Sequence, residues 1–268
     1  MLNDMLKEIK QFKETSNLEF KNEDILVVYQ YVLQKKEYLK NDNNPFEPVL
    51  EFNPTRIELR PSKRYQDMLD KAEKKRNINT IYHNDYILDA YLEDFETFND
   101  ERVEALKVAK EFLENYFSNK LTKGLYVFGK NRTGKTFLLS AIANELALKN
   151  VKVVFAYIPD LIRNIHSGMN DNTLEEKVKL LKECQVLILD DLGSAVMSSW
   201  FRDQVFGSVI QYRLSLGLPV IISSNLNITQ LENHLIDPKI DDDRFNTVRI
   251  ITRINELTTP VQLTKTRY

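Results

Sequence analysis

Eight consecutive residues, Gly129 to Thr136, have the types and spacing that bind nucleotide phosphates. They fit the phosphate-binding loop pattern of a glycine, four residues and then Gly-Lys-Thr. The backbone N–H groups of such a loop surround phosphate oxygens, its lysine neutralises the β- and γ-phosphates, and its hydroxyl holds Mg²⁺. The sequence therefore predicts a nucleoside triphosphate site formed by Gly129, Lys130, Asn131, Arg132, Thr133, Gly134, Lys135 and Thr136.

Two acidic residues follow a buried strand about fifty residues further along the chain. The apolar run from Val186 to Leu189 ends in Asp190 and Asp191, at the strand edge where ligands bind in open α/β sheets. Asp190 is predicted to hold Mg²⁺ together with Thr136. Asp191 is predicted to orient or deprotonate the attacking water.

A third strand, Ile221 to Ile222, leads through two serines to Asn225. Asn225 is predicted to reach the γ-phosphate or the attacking water. The alternative for Asn225 is a simple turn-forming residue after a strand.

The C-terminal part carries Arg244, Arg249, Arg253 and Arg267. Phosphoryl-transfer sites often receive an arginine from a neighbouring subunit, which stabilises charge on the transferring group. Any single arginine is more often a surface residue, but we expect at least one of these four to act in this way.

The elements around these residues alternate between strands and helices. Strands are predicted at 125–128, 152–157, 185–189 and 218–222, and helices at 101–117, 137–147, 159–166, 173–182, 200–216, 228–235 and 243–254. This alternation predicts a parallel sheet flanked by helices.

The first part of the chain has a different pattern. Helical stripes cover 1–12 and 22–39, and a strand pair is predicted within 48–60. The stretch 60–76 is basic and the stretch 85–104 is acidic, which is typical of solvated helix faces. The alternative is that the basic stretch contacts a partner or DNA. We expect a smaller, mostly helical domain over 1–95 and a nucleotide-binding domain over 96–268.

The amino-acid composition restricts the kind of protein that this chain can be. The chain has 268 residues, 43% of them hydrophobic and 28% charged, as in ordinary globular proteins. A net charge of −2 means that any contact with nucleic acid must use a local patch. One cysteine, Cys184, excludes an intrachain disulfide and suits a reducing cytoplasm. No signal peptide or membrane span is predicted, so we expect a cytoplasmic location.

Residues 124–268 resemble the AAA+ ATPase domain of bacterial replicative-helicase loaders of the DnaI/DnaC type. The resemblance rests on GLYVFGKNRTGKTFLLSAIANELA, AYIPDLIRNIHSG, VLILDDLGS, SSWFRDQVFGSVIQYR, ISSN and VRIITRINELTTP. The N-terminal half is more loosely similar, in the order of its elements, to the helicase-binding domain of the same family.

The resemblance implies roles for the matched positions. It implies that Asn225 is a nucleotide sensor and that Arg249, or else Arg253, is an intersubunit arginine finger. It also places Arg267 near a nucleotide-sensing arginine, and it implies that residues 159–182 face single-stranded DNA and neighbouring subunits. In that segment Arg163 and either Lys177 or Lys179 would contact the DNA backbone.

Two positions depart from the family. Arg132 stands where the family loop usually has glycine, so it would either strain the loop or add a cation beside the triphosphate. The N-terminal domain can carry a cysteine-based zinc site in the family. This chain has no cysteine around 45–64, and His83 alone cannot replace a cluster, so no zinc is expected.

The predicted function is ATP-dependent loading of a hexameric DnaB-type replicative helicase onto single-stranded DNA, with slow, partner-stimulated ATP hydrolysis and self-association through the AAA+ domain. ATP and Mg²⁺ are the expected cofactors. One alternative is an IstB-like transposition-helper ATPase, and another is a nucleotide-gated adaptor without significant turnover. A small-molecule kinase is least favoured, because no lid or substrate pocket follows the loop.

Overall fold

The structure is a computed structural model that describes residues 2–41, 44–81, 88–236 and 243–265. The chain divides into two compact units, Met1–Asp70 and Lys71–Tyr268. The predicted division at residues 95 and 96 therefore lies 25 residues beyond the division between the compact units (95 against 70). The reason is that residues 78–81 form a strand of the large sheet, so they belong with the second unit.

The first unit contains two helices and a strand pair, as predicted. Its elements are α1 Leu2–Gln11, α2 Ile25–Lys40, β1 Phe46–Glu51 and β2 Arg56–Pro61, with β1 and β2 antiparallel. A short 3₁₀ turn, Asn22–Asp24, precedes α2. The core of this unit is a small cluster that includes Ile9, Ile25, Val28 and Val32.

The second unit is built on a six-stranded parallel sheet with the order β3-β5-β6-β7-β4-β8. The strands are β3 Ile78–Ile81, β4 Gly124–Phe128, β5 Val153–Tyr157, β6 Val186–Leu192, β7 Val220–Ser224 and β8 Thr258–Gln262. Both faces of the sheet are buried, because successive side chains point to opposite faces and each face is covered by helices. In β4, for example, Leu125 and Val127 enter one core cluster and Tyr126 enters the other.

The helices of the second unit cover those two faces. They are α4 Asp100–Phe117, α5 Lys135–Leu148, α6 Ile158–Asp171, α7 Leu174–Glu183, α8 Gly207–Leu216, α9 Ile228–Leu235 and α10 Asp243–Leu257. A remaining helix, α3 Lys63–Asn77, contains the division between the two units. Short 3₁₀ and π segments cover Leu92–Asp94 and Phe201–Phe206.

The predicted fold class, a parallel sheet flanked by helices behind a smaller helical region, is confirmed. Two strands were not predicted. They are the outermost strands, β3 and β8, and they are short and carry polar residues. Pro260 lies inside β8, where it is tolerated because β8 pairs on one side only, with β4. No helix in the described part of the chain is long and apolar enough to cross a membrane.

Candidate functional site: a nucleotide cradle and a separate arginine pair

The loop between β4 and α5 turns through backbone conformations that favour glycine. Gly129 has φ of 148°, and a β-carbon there would lie 1.8 Å from the carbonyl oxygen of Leu263. Gly134 has φ of 95° and directly precedes α5. Arg132 also has a positive φ, 62°, which is uncommon for a residue with a side chain. The loop therefore holds one strained residue at the position where the family usually has glycine.

Lys135 is the most heavily bonded side chain of the loop. Its Nζ donates to the carbonyl oxygens of Gly129 (2.9 Å) and Lys130 (2.8 Å) and to Oδ1 of Asn225 (2.8 Å). Burial lowers the pKa of Lys135, and the nearby carboxylates of Asp191 and Asp190 oppose that shift. The ammonium group thus lies at the first turn of α5 beside acceptors that phosphate oxygens can replace.

Asp190 lies at the end of β6 and is 3% exposed. Its Oδ2 accepts a hydrogen bond from the hydroxyl of Thr136 (2.9 Å), and its Oδ1 accepts one from the hydroxyl of Ser223 on β7. A hydroxyl and a carboxylate at this separation form an oxygen-donor set, which hard divalent cations such as Mg²⁺ prefer. The two residues predicted to hold Mg²⁺ therefore lie side by side.

Asp191 and Asn225 are also adjacent. The β6–β7 register shifts after Leu189, and Asp191 has φ of 63°, so its side chain turns away from the regular strand pattern. Nδ2 of Asn225 donates to Oδ1 of Asp191 at 2.9 Å. Burial raises the pKa of Asp191 above the ordinary aspartate value, while Ser194 and Lys135 oppose the shift. A carboxylate with a raised pKa is a stronger proton acceptor, as a general base requires.

The side chains of Arg132, Lys135, Thr136, Asp190, Asp191 and Asn225 line one cavity of about 400 Å³. We use the name nucleotide cradle for residues 129–136 together with Asp190, Asp191 and Asn225. Three further residues line this cavity, Phe137 at the start of α5 and, at strand ends, Tyr157 and Ser223, and none of them was predicted as a site residue. The signal for Tyr157 and Ser223 was present, because both lie at the carboxyl end of a strand next to the acidic one.

The predicted arginine finger lies elsewhere. Arg249 and Arg253 are one turn apart on α10 and line a separate cavity of about 360 Å³, together with residues of the Phe201–Phe206 segment and α8. Burial and repulsion from Arg249 lower the pKa of Arg253. Arg249 is exposed, and its guanidinium lies 5.8 Å from the centre of the Phe245 ring. We call these two residues the arginine pair.

Other predicted residues have different surroundings. Arg267 lies outside the described residues. Arg244 forms an ion pair with Glu232 at 3.5 Å. In the 159–182 segment, Arg163 pairs with Asp160, and Nζ of Lys177 donates to the carbonyl oxygen of Asn164 at 3.1 Å.

The basic stretch is mostly exposed along α3, which fits a solvated helix face. Lys74 is the exception, since it is buried and donates to the carbonyl oxygen of Leu88 at 3.2 Å. Its Nζ also lies 4.1 Å from the centre of the Tyr91 ring. Lys74 therefore serves the packing of the second unit.

Comparisons with known proteins show which family the chain resembles. Residues 67–254 match the family model described as IstB-like ATP binding protein. The replicative helicase loader DnaI of Bacillus subtilis (strain 168) is 32% identical over 269 residues, covering 95% of this chain and 86% of the relative.

Solved structures show the same relationship. A crystal structure of DnaI matches with a TM-score of 0.65 and 39% identity, covering 71% of this chain and 100% of that one. A structure of AMPPCP-bound DnaA from Aquifex aeolicus has a TM-score of 0.56 and 22% identity over 67% of this chain and 51% of its own. At that identity the DnaA match shows a shared fold only. The chain belongs to the DnaI-type family of replicative helicase loaders and carries that family's ATP-binding AAA+ domain.

Proposed function

We propose that this protein loads a hexameric DnaB-type replicative helicase onto single-stranded DNA in the cytoplasm, with ATP bound at the nucleotide cradle. The observation that carries the proposal is the extent of the similarity to DnaI, which covers 95% of the chain. The IstB-like model begins only at residue 67, so it does not reach most of the first unit. The first unit is therefore what favours a loader over an IstB-like transposition helper. For function we keep the predicted division, in which residues 1–95 bind the helicase and 96–268 form the ATPase, with β3 as the part of 1–95 that pairs in the sheet of the second unit.

In this proposal the cradle binds the triphosphate of ATP. Lys135 exchanges its bonds to the loop carbonyls for bonds to β- and γ-phosphate oxygens. Backbone N–H groups of residues 129–136 supply the remaining contacts, because they precede the positive end of α5.

Mg²⁺ would be held by Thr136 and Asp190, whose oxygens already lie 2.9 Å apart. When bound, the ion neutralises charge on the phosphates. Ser223 holds the other oxygen of Asp190, so the carboxylate is oriented before the ion binds.

Hydrolysis would use Asp191 and Asn225. Asp191 accepts a proton from the attacking water, and Asn225 holds the carboxylate in place through its 2.9 Å hydrogen bond. Asn225 also accepts a hydrogen bond from Lys135, so its position depends on whether that lysine is bonded to phosphate.

Arg249 completes the site from a neighbouring subunit, with Arg253 as the second candidate. A finger acting in trans must be exposed, and Arg249 is. It lines a cavity separate from the cradle of its own chain, which is the position such a residue needs. Self-association through the AAA+ domain therefore accompanies turnover. Arg267 is proposed as a nucleotide-sensing residue, because its position in the sequence lies near that of such an arginine in the family.

Single-stranded DNA is proposed to lie along α6 and α7. Lys179 is the stronger of the two lysine candidates, because Lys177 already donates to Asn164. Arg163 is 77% exposed at its side chain although it pairs with Asp160, so it remains available to phosphate.

The test is co-purification of the full chain with the replicative helicase of its own organism, with and without ATP. We expect a complex that loads helicase onto single-stranded DNA in an ATP-dependent manner. Failure to bind helicase, combined with binding to a transposase, would support the IstB-like alternative. A steady-state phosphate-release assay with helicase and DNA present separates an ATPase from an adaptor without turnover.

A further inference from the structure

A buried arginine outside the cradle holds the phosphate loop. Arg102 lies in the first turn of α4 and is 8% exposed. Its Nη1 donates to the carbonyl oxygen of Thr133 at 2.6 Å, inside the loop, and its Nε donates to the carbonyl oxygen of Glu96. Thr133 is itself buried and bonds back to Lys130 at 3.0 Å. The arginine thus ties the middle of the loop to the segment that precedes α4.

Two aromatic rings enclose the same guanidinium group. Its central carbon lies 4.0 Å from the ring centre of Phe95 and 4.8 Å from that of Phe98. A planar guanidinium can stack on rings while donating at its edges, which a lysine ammonium cannot do. Burial lowers the pKa of Arg102, and attraction to the carboxylate of Glu96 opposes that shift.

The loop is closely fitted to this side chain. A β-carbon at Gly134 would lie 3.0 Å from Nη1 of Arg102. Arg102 also lines a second cavity of about 290 Å³, which shares Arg132, Gly134 and Phe137 with the cavity of the cradle. A shift of the Arg102 side chain would therefore displace the loop backbone that is proposed to bind phosphate.

The neighbouring residue fixes the other side of the loop. The carboxylate of Glu101 accepts hydrogen bonds from the backbone N–H of Thr264 (2.7 Å) and of Lys265 (3.3 Å). Leu263, just before them, donates to the carbonyl of Phe128 and makes the close approach to Gly129. One turn of α4 therefore holds the loop at Thr133 and the C-terminal segment that packs against Gly129.

We propose that Arg102 is the positioning residue of the phosphate loop. By holding the Thr133 carbonyl, it keeps the loop N–H groups in the arrangement that binds phosphate. It also links ATP affinity to the position of residues 95–98, the segment that leads into the AAA+ helices. This inference rests on ATP binding by the cradle and does not depend on helicase loading.

The test compares Arg102→Lys with Arg213→Lys in the full chain. Arg213 is a still more deeply buried arginine, and it donates to the carbonyl oxygens of Leu181, Cys184 and Pro219, none of which belongs to the cradle. ATP and ADP affinities are measured by titration calorimetry, and folding by circular dichroism and Tm. We expect both variants to lose thermal stability. Only Arg102→Lys should lose affinity, by about ten-fold.

The loss should be the same for ATP and ADP, because the loop binds the β-phosphate that both carry. Equal affinities for Arg102→Lys and the parent chain would overturn the proposal, as would an equal loss in Arg213→Lys. Lys135→Ala in the same titration checks that the cradle is the binding site, so failure of that assumption is seen separately.

A milder variant covers the case in which Arg102→Lys does not fold. Phe98 is 43% exposed and contributes one face of the stack, so Phe98→Ala leaves the core intact. We expect it to weaken ATP binding about three-fold and to speed backbone hydrogen exchange in residues 130–134 without nucleotide. Parent-like affinity and exchange in this variant would contradict the proposal.

Discussion

The nucleotide cradle and the arginine pair differ in how their charged groups are satisfied. In the cradle, Lys135 and Asn225 bond to each other, and Asn225 bonds in turn to Asp191. In the arginine pair, burial and, after it, repulsion from Arg249 lower the pKa of Arg253. In the cradle Lys135 is thus linked through Asn225 to Asp191, whereas the pair lines a cavity whose acidic residue, Asp203, already pairs with Arg202.

That difference is consistent with the divided site proposed above, in which the cradle and the arginine come from neighbouring subunits. The cradle can bind ATP by exchanging internal partners for phosphate oxygens, and it needs no other subunit for this. A bound anion would stabilise the arginine pair, since its negative charge offsets the repulsion between the two guanidinium groups. Binding should therefore depend on the cradle and turnover on both regions.

The largest expected effect is that of Lys135→Ala. Removing the ammonium takes away the one cation that contacts both loop carbonyls and Asn225, so ATP binding should fall by about a hundred-fold or more. Hydrolysis should be undetectable. Titration calorimetry checks this, with Lys149→Ala at the far end of α5 as a control that should bind like the parent. Retained binding would show that the loop is not the phosphate site.

Arg249→Ala should separate the two regions. Hydrolysis in the assembled state should fall by about 10³-fold, as expected for loss of an arginine finger, while ATP affinity of the single chain stays within about two-fold. Phosphate release and calorimetry measure the two effects. Arg253→Ala should reduce the rate of hydrolysis by a smaller factor. If Arg253→Ala is the more damaging variant, the finger is Arg253.

Asp191→Asn should slow hydrolysis by about 10²-fold without loss of ATP binding. Because the carboxylate is the active form, the rate should fall as pH drops through the pKa of Asp191. Burial places that pKa above the ordinary aspartate value, so the fall should occur at a higher pH than an exposed aspartate would give. The pH–rate profile of the variant should lack this limb. An unchanged profile would assign the limb to another group.

Arg132→Gly should have the smallest effect. Glycine relieves a φ of 62°, so any gain in the free energy of unfolding should be at most about 1 kcal/mol. ATP affinity should fall about two- to three-fold, because a cation lining the cavity is lost. Arg132→Lys keeps both the charge and the strain and should bind like the parent. Stronger ATP binding in the glycine variant would mean that strain outweighs charge.

Much of this site could be predicted because its residues are consecutive or end predicted strands. The loop, Asp190, Asp191 and Asn225 all satisfy one of these conditions. Arg102 could not be predicted, since it stands in an acidic stretch that is typical of a solvated face. Its burial depends on Phe95, Phe98 and Thr133, and Thr133 is 31 residues away in sequence.

The missed strands have a similar explanation. The Ile-Asn-Thr-Ile run of β3 is too short for a clear alternation, and it forms a strand only because β5 supplies partners. The predicted boundary at residue 95 rested instead on the amphipathic pattern that begins at Glu101. Pairing across the sheet decides such segments, and one sequence alone does not show it.

The most direct test of the divided site is to mix two inactive variants. Asp191→Asn keeps the arginine pair but lacks the base, and Arg249→Ala keeps the complete cradle but lacks the proposed finger. If Arg249 acts in trans, mixed assemblies contain sites with an intact cradle beside an intact arginine, and ATP hydrolysis returns to about a quarter of the parent rate. A mixture no more active than the separate variants, with assembly confirmed, would contradict the divided site.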